Sequence, residues 1–312
     1  MLLKHMEQAT IIQVMLRFLG KTGLLLCIPI SLFGQEAVMN TPFWSNRSYF
    51  NASCVGYLGE DVPLSGFLTS KKLWSGIQGS PMVIGFSADY KASESNFVGV
   101  QVWQHKYATL NYSSISIPYA FNARIDRDQG FLLGLASTIT STSIDLSKIT
   151  QPELLDVTAQ IPPVAFFDAS FGASYYYLDV FRFGVFANNF MLNSSVDPTK
   201  VINYTNYSMS TFGADLSFYL KEDRFRPISL YFDAFLKGNV YTPVLGEASV
   251  RIGKYGTLIG LGYRTNNDLN FTLQFGESKP FEFGYFYTHS FSALQKFSNG
   301  SQQVYLRFNL ID

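Results

Sequence analysis

Over most of its length this chain alternates apolar residues with small or polar ones at a period of two. Leu269, Phe271, Leu273 and Phe275 alternate with Asn270, Thr272, Gln274 and Gly276. Phe281, Phe283, Tyr285 and Tyr287 alternate with Glu282, Gly284, Phe286 and Thr288. Near the end, Val304, Leu306, Phe308 and Leu310 alternate with Tyr305, Arg307, Asn309 and Ile311. Successive side chains of a strand point to opposite faces, so the pattern predicts strands with one apolar, aromatic face and one face of Gly, Asn, Gln, Thr, Arg and Glu. Helical periodicity dominates nowhere, and no run of about 18 apolar residues follows Phe33, which excludes a transmembrane helix there.

The alternation recurs about 14 times, at 62–70, 80–90, 96–105, 110–124, 130–143, 163–177, 180–192, 207–220, 228–237, 240–252, 256–265, 269–276, 281–291 and 302–311. A soluble β-sandwich would carry more charge on its outward face than the Gly/Asn/Thr/Gln face seen here. The 19 tyrosines and 29 phenylalanines exceed what a sandwich core needs, and suit two aromatic girdles at membrane interfaces. The predicted fold is all-β: a transmembrane antiparallel β-barrel of about 14 strands spanning 62–312, whose closure satisfies every backbone hydrogen bond internally.

The stretch Tyr255–Arg264, YGTLIGLGYR, tests this reading because its glycines resemble a phosphate-binding loop. A dinucleotide fingerprint leads into a helix. Here Gly260 and Gly262 share a strand face with Leu258 and Arg264, and a turn and another alternating segment follow. The glycines belong inside a strand, where they allow close approach or sharp coiling.

Connections give a second signal. Those after even-numbered strands are short and charged: 91–95, 126–128, Leu178-Asp179, Lys221–Arg224, 253–255 and 277–280. Several after odd-numbered strands are long: 71–79, 144–162, 193–206 and 292–300. Outer-membrane barrels have short periplasmic turns and longer outer loops, so this asymmetry predicts that the N-terminus and the charged turns face the periplasm. The connections near 238–239 and 266–268 are short exceptions.

The first 34 residues read as a signal peptide. Thr22–Phe33, TGLLLCIPISLF, is an apolar core behind Arg17 and Lys21, ending at Gly34-Gln35, and is too short to span a bilayer. Met15 gives a more ordinary start than Met1. Gly20-Lys21-Thr22 lacks the glycine five positions earlier that a P-loop needs. With the signal removed, Cys54 is the remaining cysteine, read as a half-buried small residue, and no disulfide framework forms within the chain. Residues 35–61 are aromatic and Asn-rich without clean alternation, and are expected to pack inside or beneath the barrel as a periplasmic or plug segment.

Charge and chemistry exclude several functions. Lys+Arg and Asp+Glu each total 23, so no net basicity favours nucleic acid. His105 and His289 lie on strands far apart in sequence, and His289 and Ser290 point to opposite faces, which argues against a histidine-centred hydrolase. Asp126-Arg127-Asp128-Gln129-Gly130 lacks the later ligands of a calcium loop, with Ser137 where a Glu is needed. No His/Cys/Asp cluster has metal-ligand spacing, and no cofactor is expected. The stretch Lys71–Pro81, KKLWSGIQGSP, sets a tryptophan between Gly-rich turns. It reads as a loop on the barrel rim, or else as a Trp74 anchor for a partner or part of a plug.

In order and spacing, these segments resemble the PorP/SprF family of the type IX secretion and gliding-motility machinery of Bacteroidetes. That family carries a segment close to N-P-A-x-A-G, of which Asn51 and Gly56 match, then R-x-Q-W-x-G-x-x-G-x-P, of which Trp74, Gly76, Gly79 and Pro81 match with Lys71 in place of the Arg. Tyr263-Arg264 resembles a family strand end, Gly284–Tyr287 its penultimate strand, and Ser298–Ser301 with Val304–Phe308 its last loop and closing strand. The resemblance covers nearly the whole mature chain. It implies a non-enzymatic barrel in the outer membrane of a Gram-negative Bacteroidetes bacterium. It also implies protein partners, namely periplasmic ring lipoproteins or a secreted surface adhesin. The family-motif residues named above and the turns Lys221, Glu222, Asp223, Arg224 and Glu277, Lys279 are the candidate contacts. The alternative is an outer-membrane porin or uptake channel for small solutes, which predicts an open lumen.

Overall fold

The computed structural model describes residues 42–56, 62–144, 164–178, 180–191, 211–221, 228–238, 244–276, 280–291 and 296–310. Fourteen strands follow in chain order: β1 (Leu64–Lys72), β2 (Met82–Lys91), β3 (Asn96–Tyr107), β4 (Leu110–Arg124), β5 (Gln129–Ile144), β6 (Val164–Tyr177), β7 (Phe181–Met191), β8 (Thr211–Lys221), β9 (Ile228–Gly238), β10 (Leu245–Lys254), β11 (Thr257–Arg264), β12 (Asp268–Phe275), β13 (Phe281–Ser290) and β14 (Ser301–Leu310). Each pairs antiparallel with its sequence neighbours. β14 returns to β1, with Leu310 opposite Leu64 and Gln302 opposite Lys72, so the sheet is a closed barrel without an edge.

Twelve of the strands begin and end within two residues of the sequence expectation. β8 begins at Thr211, and the expected start at 207–210 lies outside the described residues. β10 begins at Leu245, and of the expected stretch before it 240–243 lie outside the described residues. A further short odd-numbered connection, Ala108-Thr109 between β3 and β4, joins the exceptions to the long-loop pattern.

The two faces of the wall are the reverse of those of a soluble protein. Ile115, Ile117, Ile259 and Leu261 point outward and are more than half exposed, whereas Arg264, Gln303 and Asp215 point inward with at most 1% exposure. Apolar out and polar in is stable where hydrocarbon is the outer solvent. Gly260 faces inward on β11. A Cβ at this inward position would lie 2.5 Å from Cγ of Arg251 on the paired strand, so the glycine makes room for that arginine to reach into the lumen.

Candidate functional site

The interior of the barrel is occupied by Pro42–Gly56. This segment has Pro, Ser and Asn where an alternating strand would need apolar residues, and it forms three 3-10 turns, Phe43–Ser45, Arg47–Tyr49 and Ala52–Cys54. The first closes on Pro42, whose carbonyl accepts from both the backbone N–H and the hydroxyl of Ser45. The third is capped by Asn51, whose side-chain oxygen accepts from the Ser53 N–H. Gly56 leaves the segment at φ +66°, and a Cβ there would strike Phe97.

Aromatic rings seat the segment on the wall. Phe43 stacks on Phe235 of β9 at 4.9 Å, and Phe50 meets the same ring edge-on at 5.1 Å. Trp44 packs edge-to-face on Phe286 of β13, and Tyr49 lies 4.1 Å from Trp103 of β3. Val55 completes a separate cluster with Phe97, Ala120, Leu132 and Tyr176.

Polar contacts fix its register. Asn46 donates to Ser87, Gln101 donates to Ser48, and Asn188 donates to the Phe50 carbonyl. Asn51 donates to Asp215 at 2.9 Å and to Ser174 at 3.3 Å, while the Ser53 hydroxyl donates to Asn51 and lies 2.6 Å from Ser174. The wall is hollowed to receive this corner. A Cβ at Gly134 of β5 would lie 2.1 Å from the Ser53 nitrogen, and one at Gly172 of β6 would lie 2.0 Å from the Asn51 side-chain oxygen. These two glycines face each other across the β5–β6 ladder and form a socket.

Several of the charges inside form buried ion pairs, which offsets part of the cost of their burial. Asp233 of β9 accepts from Arg47 of the segment, from Arg251 of β10 and from Ser217, each at 2.8 Å. The Arg251 guanidinium also lies 3.6 Å over the Trp44 ring, so one arginine clamps the segment by charge and by its face. Arg307 reaches the Ser45 carbonyl and pairs with Glu282, which also accepts from Tyr305. Arg182 donates to Cys54, which is 4% exposed and thus fully buried rather than half-buried. Nearer the other end of the lumen, Arg264 pairs with Glu247, and Lys71 lies within the electrostatic reach of Arg264, Glu247 and Asp268. All four are buried.

Lys71 and Arg264 were singled out separately in the sequence, and the barrel brings them to one luminal cluster. Asn51 and Gly56 belong instead to the interior segment. Tyr263 points outward, half exposed, and donates to Asn267 in the adjoining turn. Trp74, Gly76, Gly79 and Pro81 form the β1–β2 connection. It packs on the rim rather than entering the lumen: Ser75 N–H donates to the Gly300 carbonyl, Asn299 N–H to the Ser75 carbonyl, and Trp74 N–H to the Ser301 hydroxyl. The β1–β2 connection and the segment leading into β14 are thus one bridged unit, with Trp74 at φ +47° and Gly76 at φ +98°.

Lys221 ends β8, while Glu222, Asp223, Arg224, Glu277 and Lys279 lie outside the described residues. In the described turns, carboxylates are locally held. Asp126 accepts from the Gln129 side chain and from the Asp128 and Gln129 N–H groups, which keeps its carboxyl below the ordinary value. Glu94 is held low by Lys91 and then by Arg124. His105 faces the lumen and His289 stacks with the outward Tyr287 and Phe291, so the two histidines share no site. Among the described residues no group of His, Cys, Asp and Glu could hold a metal ion.

Sequence reasoning missed Asp233, Arg251, Asp215, Arg182 and Glu282. Their signal was present: each is a charge on the strand face shared with Gly, Ser and Thr, the face that cannot meet lipid.

A closed antiparallel barrel with an apolar outer wall and a polar interior defines an outer-membrane β-barrel protein. The family of type IX secretion system membrane proteins PorP/SprF matches residues 33–308, and the chain belongs to that family. No curated protein matches it. Among solved structures it is similar to the Acinetobacter baumannii outer membrane protein Omp33, at 10% identity over 81% of this chain and 100% of that one, TM-score 0.49. It is also similar to the CymD monoaromatic hydrocarbon channel, at 9% identity over 91% of this chain and 97% of that one, TM-score 0.47. The Pseudomonas putida toluene transporter TodX follows at 8% identity over 85% of this chain and 91% of that one, TM-score 0.43.

Proposed function

We propose that the protein is a non-enzymatic, non-conducting docking barrel of the type IX secretion and gliding-motility machinery. In this reading its even-numbered turns and N-terminal segment face the periplasm and meet ring lipoproteins or a secreted surface adhesin. One observation carries the choice over a solute channel: Pro42–Gly56 occupies the lumen and is anchored to strands all around the wall, from Ser87 of β2 to Arg307 of β14. A segment bound by buried charge pairs and ring stacking is part of the core rather than a cargo in transit. Residues 35–61 then act as a plug, and the charged turns Lys221–Arg224 and Glu277–Lys279 supply the partner contacts.

The test is purification of the tagged protein from its native outer membrane in mild detergent, with mass spectrometry of what accompanies it. Recovery of ring lipoproteins or a large adhesin, lost on charge reversal in those turns while the barrel stays folded, supports docking. A barrel recovered alone from membranes with an intact ring, and conducting ions in planar bilayers, would return the porin reading.

A further inference from the structure

The outer wall is indented at the closing seam. There Gly66 of β1 faces outward opposite Ala88 of β2 and Phe308 of β14, and a Cβ built on Gly66 would meet nothing within 4 Å. The missing side chain opens a groove of about 340 Å³ with Gly66 and Ala88 as its floor and Leu68, Phe86, Leu306 and Phe308 as its walls. The chains that form the walls are each about 40–50% exposed and carry no polar atom. The groove is continuous with the lipid-facing wall, so hydrocarbon covers it. Its volume admits a chain of roughly ten methylenes, if each takes a little less than or about the ~30 Å³ share of a water molecule.

We infer that this groove is a lipid site: it holds one acyl chain of a bilayer phospholipid across the β14–β1–β2 seam. A flexible chain laid in a concave, side-chain-lined slot gains contacts that a flat wall does not give. The headgroup contributes nothing that the groove recognises, so the site selects for chain rather than for headgroup. This inference is independent of the docking reading, because it concerns the outer wall and not the turns or the lumen.

Native mass spectrometry of the full barrel, released from its own membrane in mild detergent, tests it. The expected spectrum contains a population carrying one phospholipid, with mixed headgroups. Gly66→Phe fills the groove and is expected to lower that population about tenfold, while Val185→Phe, an outward change on β7, leaves it intact. Ala88→Phe gives the same loss from the opposite side of the floor, should Gly66→Phe fold poorly. Heat-dependent gel migration checks that each variant forms a closed barrel. A wild-type barrel with no retained lipid, filled-groove variants that retain as much as wild type, or an acylated lipoprotein peptide in place of phospholipid would each overturn the assignment.

Discussion

The side-chain amide of Asn51 lies 2.9 Å from a carboxylate oxygen of Asp215, joining the interior segment to β8 across 164 positions of sequence. Neither residue is more than 1% exposed, so each is the other's substitute for water. Asn51→Ala leaves a buried carboxylate oxygen without its donor and is expected to destabilise the folded barrel by about 1–3 kcal/mol. A lowered apparent thermal midpoint in detergent, with gel migration of a closed barrel at low temperature, is the outcome to look for.

Asp233 is the larger keystone, because two arginines converge on it. Asp233→Ala strands Arg251 in the interior and frees Arg47, and removing one partner of a buried pair costs about 3–5 kcal/mol. Arg47→Met should cost less, since Arg47 is 27% exposed and Arg251 still holds the carboxylate. Chemical denaturation of the two variants side by side reads the order directly.

Gly134 tests whether the segment seals the lumen. Any side chain there collides with the Ser53 backbone, so Gly134→Val forces Asn51–Cys54 off the wall. The expected results are protease sensitivity within 42–56 and ion conductance in planar bilayers, both absent in the wild type. Equal conductance in wild type and variant would mean that the segment does not block the pore.

The turns respond to acid. Asp126 and Glu94 have carboxyls depressed below their ordinary values of 3.8 and 4.5, the first by Gln129 and Asp128, the second chiefly by Lys91. A depressed value means that the stabilisation is complete above the unfolded-state value and is lost as pH falls through the lower folded-state one. The β4–β5 and β2–β3 turns should therefore loosen only below about pH 4, and Asp126→Asn should remove the first turn's share of that acid response. Carboxyl titration by NMR on labelled protein gives the comparison.

The barrel was readable because lipid imposes one requirement on every second residue. Val304, Leu306 and Phe308 had to be apolar, and their alternation with Tyr305 and Arg307 marked β14 almost to its ends. The inward face carries no such uniform rule. Which luminal groups meet depends on the path of Pro42–Gly56 and on the stagger of the strands, so the pairing of Arg47 with Asp233, 186 positions away, left no local trace. Lys71 and Arg264 were visible as motif residues, but their shared cluster with Glu247 and Asp268 exists only once β1 and β11 curve toward one lumen. Cys54 read as a marginal small residue because its burial is supplied by strands far from it in sequence.

The closing strand has a consequence for how such a chain is made. The segment that fills the interior precedes every strand, and the strand that seals the sheet against Leu64–Lys72 is the last, Ser301–Leu310. Synthesis and export therefore deliver the contents before the container, and no step requires threading a finished pore. A nascent chain halted before Ser301 would present two bare edges, at β1 and β13, with its interior segment already emerged. Quality control that recognises the final strand would thus inspect the whole molecule by its end.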